Sequence, residues 1–139
     1  MFIIDTNVVS ELRKRDRADR NVVDWAGKAD PTMFYLSSMT IFEIRYGALQ
    51  IERRDKVQGQ LMLAWLQRDI LDAFAGHILP IDAEVAAQCA ALHVPDPKPE
   101  RDAFIAATAL VHDLTVVTRN TKDFEAMGVK LLNPWEINA

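Results

Sequence analysis

The stretch Phe2-Ile3-Ile4-Asp5-Thr6-Asn7 decides the reading of the whole chain. Three apolar residues in a row, without strict alternation, suit a short strand buried on both faces. Asp5 follows at once, and Thr6 and Asn7 add two more polar groups at a depth where apolar ones would cost less. Four further short runs share this character: Phe34–Leu36, Ile78–Leu79, Thr115–Val117 and Lys130–Leu132. Helical patterning lies between them. Asn21–Lys28 carries Val22, Val23 and Trp25. Met39–Gln50 puts Met39, Phe42, Tyr46 and Leu49 on one stripe, with Ser38 as an N-cap. Arg54–Ala75 reads as one long helix with Trp65 and several leucines, a stretch that could carry a dimer surface. Ala83–His93 and the nearly all-apolar Arg101–His112 follow, the second reading as a buried central helix. Strands alternating with helices imply right-handed crossovers. The expected fold is α/β: a three-layer α/β/α sandwich around a five-stranded, mainly parallel sheet. The segment 94–100, VPDPKPE, has prolines at 95, 97 and 99, so it reads as a stiff loop delivering Asp102 to its helix.

The chain has 139 residues, and residues 1–139 are expected to form one domain. A chain of this size can bury about 68–70% of its unfolded surface, enough for its own core. The single cysteine, Cys89, excludes an internal disulfide and fits a reducing cytoplasm. The start, MFIID, has no basic region and meets a charge at its fifth residue, unlike a signal peptide. No apolar run approaches the roughly 20 residues needed to span a bilayer, so no membrane association is expected. The formal net charge is −4, which argues against a nonspecific nucleic-acid coat protein. It leaves room for a nuclease whose carboxylates are offset by a cation. Basic residues do gather locally, at Arg13, Lys14, Arg15, Arg17 and Arg20, and at Arg45, Arg53, Arg54 and Lys56.

Four acids stand where an open parallel sheet binds its ligands, beyond the carboxyl ends of the strands. Asp5 ends the first strand. Glu43 lies about one turn into the helix after the second. Asp102 opens the apolar helix, and Asp123 lies in the first turn after the fourth strand and Thr118-Arg119-Asn120. Each alone has a plain explanation, as a cap or a dipole partner. Together they would repel one another unless a cation compensates. Oxygen-only donors suit Mg²⁺ or Mn²⁺, not zinc. His77, His93 and His112 are scattered and follow no metal spacing. A divalent ion lowers the pKa of water and stabilises charge on a phosphoryl oxygen, so phosphoryl chemistry is expected. No P-loop, G-x-S-x-G or G-x-G-x-x-G pattern is present, which removes support for NTPase, serine-hydrolase and dinucleotide readings.

With these residues in order, the chain resembles a PIN domain, the metal-dependent ribonuclease fold, and in particular the VapC- and FitB-like toxins of bacterial type II toxin–antitoxin pairs. The resemblance runs along essentially the whole chain. It is carried by Ile4–Asn7, by the Ser/Thr-rich lead into Glu43–Gly47, by Arg101–Ala107 (RDAFIAA) and by Thr118–Phe124 (TRNTKDF). Ser37, Ser38 and Thr40 are alternatives for the family's small hydroxyl residue before the Glu. The resemblance implies a Mg²⁺- or Mn²⁺-dependent endoribonuclease leaving a 5′-phosphate and a 3′-hydroxyl. It implies Asp5, Glu43, Asp102 and Asp123 as the acidic quartet, with Thr6 and Asn120 orienting ligands or water behind it. Asp5 and Asp102 would be direct metal ligands, Asp123 would reach the ion through water or bind a second one, and Glu43 would position or deprotonate the attacking water. It also implies a small cognate antitoxin that covers the site, DNA contacted only through that antitoxin, and a homodimer in the cytoplasm.

Arg13, Arg15 and Arg45 are candidate RNA-backbone contacts. A haloacid-dehalogenase-like phosphatase is a weaker alternative, because it needs an Asp where Asn7 stands. A receiver domain is weaker still, because Leu79-Pro80 ends the third strand with Asp82 already entering the next helix. A third alternative is a non-catalytic PIN-like scaffold acting with its antitoxin in DNA-bound regulation, which metal binding would separate from an enzyme.

Overall fold

A computed structural model describes residues 1–137. Five strands appear where the apolar runs place them: β1 (Phe2–Ile4), β2 (Phe34–Ser37), β3 (Ile78–Leu79), β4 (Thr115–Val117) and β5 (Lys130–Leu132). Every pairing is parallel, in the order β3-β2-β1-β4-β5. Seven α-helices connect and cover them: α1 (Thr6–Arg13), α2 (Arg20–Lys28), α3 (Ser38–Arg54), α4 (Lys56–Trp65), α5 (Ala83–Leu92), α6 (Glu100–His112) and α7 (Thr121–Phe124).

Adjacent strand residues point to opposite faces, and this divides the core in two. Ile3 and Val116 join Val85, Ile105 and Phe124 on one face, while Ile4 and Val117 join Val8, Val22, Ile44 and Leu66 on the other. The sheet is therefore covered on both sides, which gives the three layers. The chain winds from β1 outward through β2 to β3, then returns across the sheet to β4 on the other side of β1. The direction of winding reverses between β1 and β4, and a crevice opens at their carboxyl ends. The site forms there.

Several local expectations are revised. The helix after β2 is capped by Ser37, whose Oγ accepts from Met39 N at 3.0 Å. Ser38 is instead the first helical residue. Both serines can cap, but the backbone at Ser37 is extended, as an N-cap requires. The stripe of Phe42, Tyr46 and Leu49 faces outward, at 51%, 44% and 42% exposure, and the core face is Thr40, Ile44 and Ala48. The long helix expected over Arg54–Ala75 is present but begins at Lys56. Asp55 ends α3 and caps α4 by accepting from Gln58 N at 3.1 Å. Beyond Trp65 the chain widens into a π-helical turn, Leu66–Leu71, that buries Leu66 and Ile70. α3 and α4 pack so closely that Gly59 leaves no room for a Cβ against the Glu52 backbone. Residues 94–99 form the loop expected of three prolines. Among the described residues, no helix is long and apolar enough to cross a membrane.

Candidate metal centre

Asp5 sits where β1 stops. Its backbone N–H still donates to Val117 O at 2.9 Å, continuing the β1–β4 ladder. Its backbone is extended, and its side chain turns back to accept from Thr6 N at 2.8 Å, capping α1. The other oxygen, Oδ2, accepts from Thr118 Oγ1 at 2.8 Å and Asn7 Nδ2 at 3.2 Å. The carboxylate is only 5% exposed. Burial pushes its pKa up, and the negative charge of Asp123 adds to that, while the bonds from Thr118, Thr6 and Asn7 pull it down.

Glu43 projects from α3 toward the same edge. Thr6 Oγ1 donates to its Oε1 at 3.0 Å and lies 3.3 Å from the buried Thr40 Oγ1. Of the hydroxyl alternatives Ser37, Ser38 and Thr40, it is Thr40 that faces the acids. Burial raises the Glu43 pKa and so does Asp5, against the lowering effects of Thr6 and Arg101. Arg101 Nη1 lies 3.9 Å from Glu43 Oε2. Among the described residues this is the only ion pair that touches the quartet.

Asp102 lies in the first turn of α6. Its pKa is pushed up to about 6 by burial first, and then by the charges of Asp5, Asp123 and Glu43. Asp123 is exposed, in the first turn of α7, and Phe124 behind it is fully buried and anchors that turn. One carboxyl thus senses the other three, so the four acids share one electrostatic neighbourhood. Beside them is an open cleft of about 420 Å³ lined by Glu43, Pro99, Glu100, Arg101 and Asp102.

The donor set suits a hard divalent cation. It offers oxygens only, it carries more negative charge than its neighbours offset, and it stands in an open cleft. Mg²⁺ takes one or two carboxylates and keeps several waters. Among the described residues no group of three or more His, Cys, Asp or Glu side chains is arranged to hold an ion unaided. The fit is therefore to a hydrated ion held by few carboxylates, not to a closed protein cage.

Thr118 and Asn7 are the participants that sequence reasoning left without a role. Thr118 is fully buried; its hydroxyl donates to Asp5 and accepts from Asn7 Nδ2 at 3.2 Å and Asn120 N at 3.0 Å. Asn7 Oδ1 also accepts from Arg119 N at 3.2 Å, tying α1 to the loop after β4. Asn120 enters this network through its backbone. The signal was present in the polar steps that end both central strands, but only the pairing of β1 with β4 turns it into a contact.

Of the three arginines noted as RNA contacts, Arg13 and Arg15 share a cavity and Arg45 lies elsewhere. Arg13 stacks over Trp65 with its guanidinium carbon 5.2 Å from the ring centroid. Arg13 and Arg15 line a mainly apolar cavity of about 240 Å³ with Trp25, Phe34, Trp65 and Phe74. Arg45 is exposed on α3. The histidines serve locally: His77 Nδ1 lies 2.9 Å from Phe34 O, and His93 Nδ1 accepts from Lys98 N at 3.0 Å.

A family profile described as PIN domain matches residues 2–130. The VapC ribonuclease Y4jK of Sinorhizobium fredii is 36% identical over 144 residues, covering 98% of this chain and 99% of that protein. Toxin FitB of Neisseria gonorrhoeae is 38% identical over 141 residues, covering 97% and 99%. The solved structure of FitAB bound to an IR36 DNA fragment superposes with a TM-score of 0.87 at 35% identity, covering 99% of this chain and 97% of that one. The profile match over residues 2–130 and these near full-length relatives place the chain in the PIN domain family, with a VapC ribonuclease and the FitB toxin among its relatives.

Proposed function

We propose that the protein is a Mg²⁺- or Mn²⁺-dependent endoribonuclease and the toxin of a type II toxin–antitoxin module, with residues 1–139 acting as one domain. The observation that carries this reading is the gathering of Asp5, Glu43, Asp102 and Asp123 into one field beside an open cleft. A ribonuclease and a toxin among its full-length relatives support the substrate and the setting.

Asp5 and Asp102 would hold the ion, with Asp123 reaching it through water or a second ion. When bound, the ion would supply a lowered water pKa and stabilisation of charge on the phosphoryl oxygen. Glu43 takes the proton of the attacking water; burial and the charge of Asp5 raise its pKa, which strengthens it as a base. Thr6 holds the Glu43 carboxylate from one side. Thr118 and Asn7 hold Asp5 through its Oδ2 and fix the carboxylate's orientation. In-line attack on the scissile phosphate breaks the bond to the 3′ oxygen, leaving a 5′-phosphate and a 3′-hydroxyl.

The cellular reading goes with it: a cytoplasmic homodimer, silenced by a small antitoxin over the acids, with DNA reached only through that antitoxin. The relative solved as FitAB on a DNA fragment supports that arrangement. The test is incubation of antitoxin-free protein with total bacterial RNA in Mg²⁺, beside EDTA and Asp5→Asn. Discrete fragments that need both metal and Asp5 are expected. Turnover by a folded Asp5→Asn protein would sink the assignment. Mn²⁺ binding without cleavage would favour the non-catalytic scaffold.

A further inference from the structure

We propose that Arg101 is an RNA-phosphate contact at the mouth of the site, held in place by the stacked rings of Phe42 and Tyr46; this rests on the endoribonuclease reading. A polyanionic substrate must approach four carboxylates on a chain of net charge −4, and one bound ion offsets only part of that charge, so a fixed positive side chain at the cleft favours the approach of its backbone. Arg13 and Arg15 line a different cavity from the cleft at the acids. Arg101 stands in that cleft. It is 3.9 Å from Glu43 and its side chain is 45% exposed.

The side chain is also pre-organised. Phe42 and Tyr46 lie one turn apart on α3, with ring centroids 5.7 Å apart and planes 22° from parallel. The Arg101 guanidinium carbon lies 5.2 Å from one centroid and 5.4 Å from the other. Both rings are largely exposed, so they do little for the core. They bind the guanidinium by cation–π attraction. Much of the rotamer entropy that an arginine loses on gripping a ligand is then lost already in the free protein. A cation–π contact uses none of the guanidinium N–H groups as donors, so they can still grip two phosphate oxygens. Its pairing with Glu43 is long, at 3.9 Å, and a backbone phosphate offers closer acceptors.

The test measures binding of a labelled, random-sequence, single-stranded oligoribonucleotide across a salt series at fixed Mg²⁺. Asp5→Asn protein prevents cleavage, and the comparison is with and without Arg101→Ala. Loss of one phosphate contact should reduce the slope of log affinity against log salt by about 0.7. Arg101→Lys should keep the slope, because it keeps the charge. In cleaving protein, Phe42→Ala with Tyr46→Ala should raise KM with kcat little changed, and Tyr46→Phe should restore KM. A slope unchanged by Arg101→Ala overturns the proposal. So does a slope unchanged while the double ring variant turns a dimer into a monomer in sedimentation, which would make this face an interface between two copies. Failure of Asp5→Asn protein to bind the oligonucleotide, together with no cleavage of RNA by the parent protein, would overturn the endoribonuclease reading as well.

Discussion

Thr118 Oγ1 donates a 2.8 Å hydrogen bond to Asp5 Oδ2 across a fully buried contact between residues 113 positions apart. The bond joins the ends of the two central strands, and it fixes which way the Asp5 carboxylate faces. Threonine is needed for its hydroxyl, because the methyl alone would leave Asp5 to Asn7 and Thr6.

Thr118→Val tests this relationship. The change keeps the shape but removes three hydrogen bonds, one of them to a carboxylate, so the fold should persist with a loss of about 3 kcal/mol, about 1 for each bond. Metal affinity and cleavage should fall by about 10–100-fold, as when a partner behind a metal ligand is removed. A Mn²⁺ titration with a parallel chemical denaturation separates the two effects. Normal Mn²⁺ affinity in the variant would count against the orienting role.

The acids also predict a pH dependence. Without a cation, Asp102 is raised from 3.8 to about 6, and Asp5 and Glu43 are raised too. A carboxyl whose folded pKa exceeds its unfolded one binds protons more tightly when folded. Its contribution is fully present below pH 3.8 and is lost as pH rises through about 6. Metal-free protein should therefore lose thermal stability as pH climbs across that window. Mn²⁺ should restore more stability at pH 7.5 than at pH 5, because the ion competes with protons for the same oxygens. Asp102→Asn should flatten the profile. An unchanged profile in that variant would place the titration elsewhere.

Phe124→Ala should cost about 3–5 kcal/mol, the usual loss for a buried aromatic, since Phe124 is fully enclosed. The same substitution should weaken metal binding, because Phe124 anchors the short helix that carries its neighbour Asp123. Denaturant unfolding and a Mn²⁺ titration on the folded fraction read both effects. Loss of stability with unaltered metal affinity would show that Asp123 does not help to hold the ion.

Gly59→Ala sets two effects against each other. Alanine is favoured in a helix by about 1 kcal/mol. The added Cβ, however, would fall onto the Glu52 backbone, which cannot swing aside as a side chain could. Overpacking of this kind costs about 1–3 kcal/mol. The net outcome should be a lower Tm, with α3 and α4 pushed apart. A Tm at or above the parent's would mean the hairpin has slack.

Much of this was legible in the sequence, for reasons visible in particular residues. The strands could be read because a doubly covered parallel strand has to be apolar throughout, as FII and TVV are. The acids stood out because a carboxylate directly after such a run is costly. Other features depend on contacts that no local pattern encodes. Ser37 and Ser38 differ as caps only through the backbone between them. Phe42, Tyr46 and Leu49 have helical spacing but face outward, because Thr40, Ile44 and Ala48 fit the space beneath α3. The π-helical turn at Leu66–Leu71 has no breaker residue to announce it; it is the path that buries both Leu66 and Ile70. The roles of Thr118 and Asn7 needed the strand order, and nothing in one chain's sequence states that β1 lies beside β4.

The strand synthesised first is the strand in the middle of the sheet. During translation β1 can find β2 early, yet its other edge has no partner until residues 115–117 have emerged. Asp5 then still lacks Thr118, and the cleft lacks Asp123. A growing chain attached to its ribosome therefore carries only half of the acidic edge, and the site closes only once its last strands have been made.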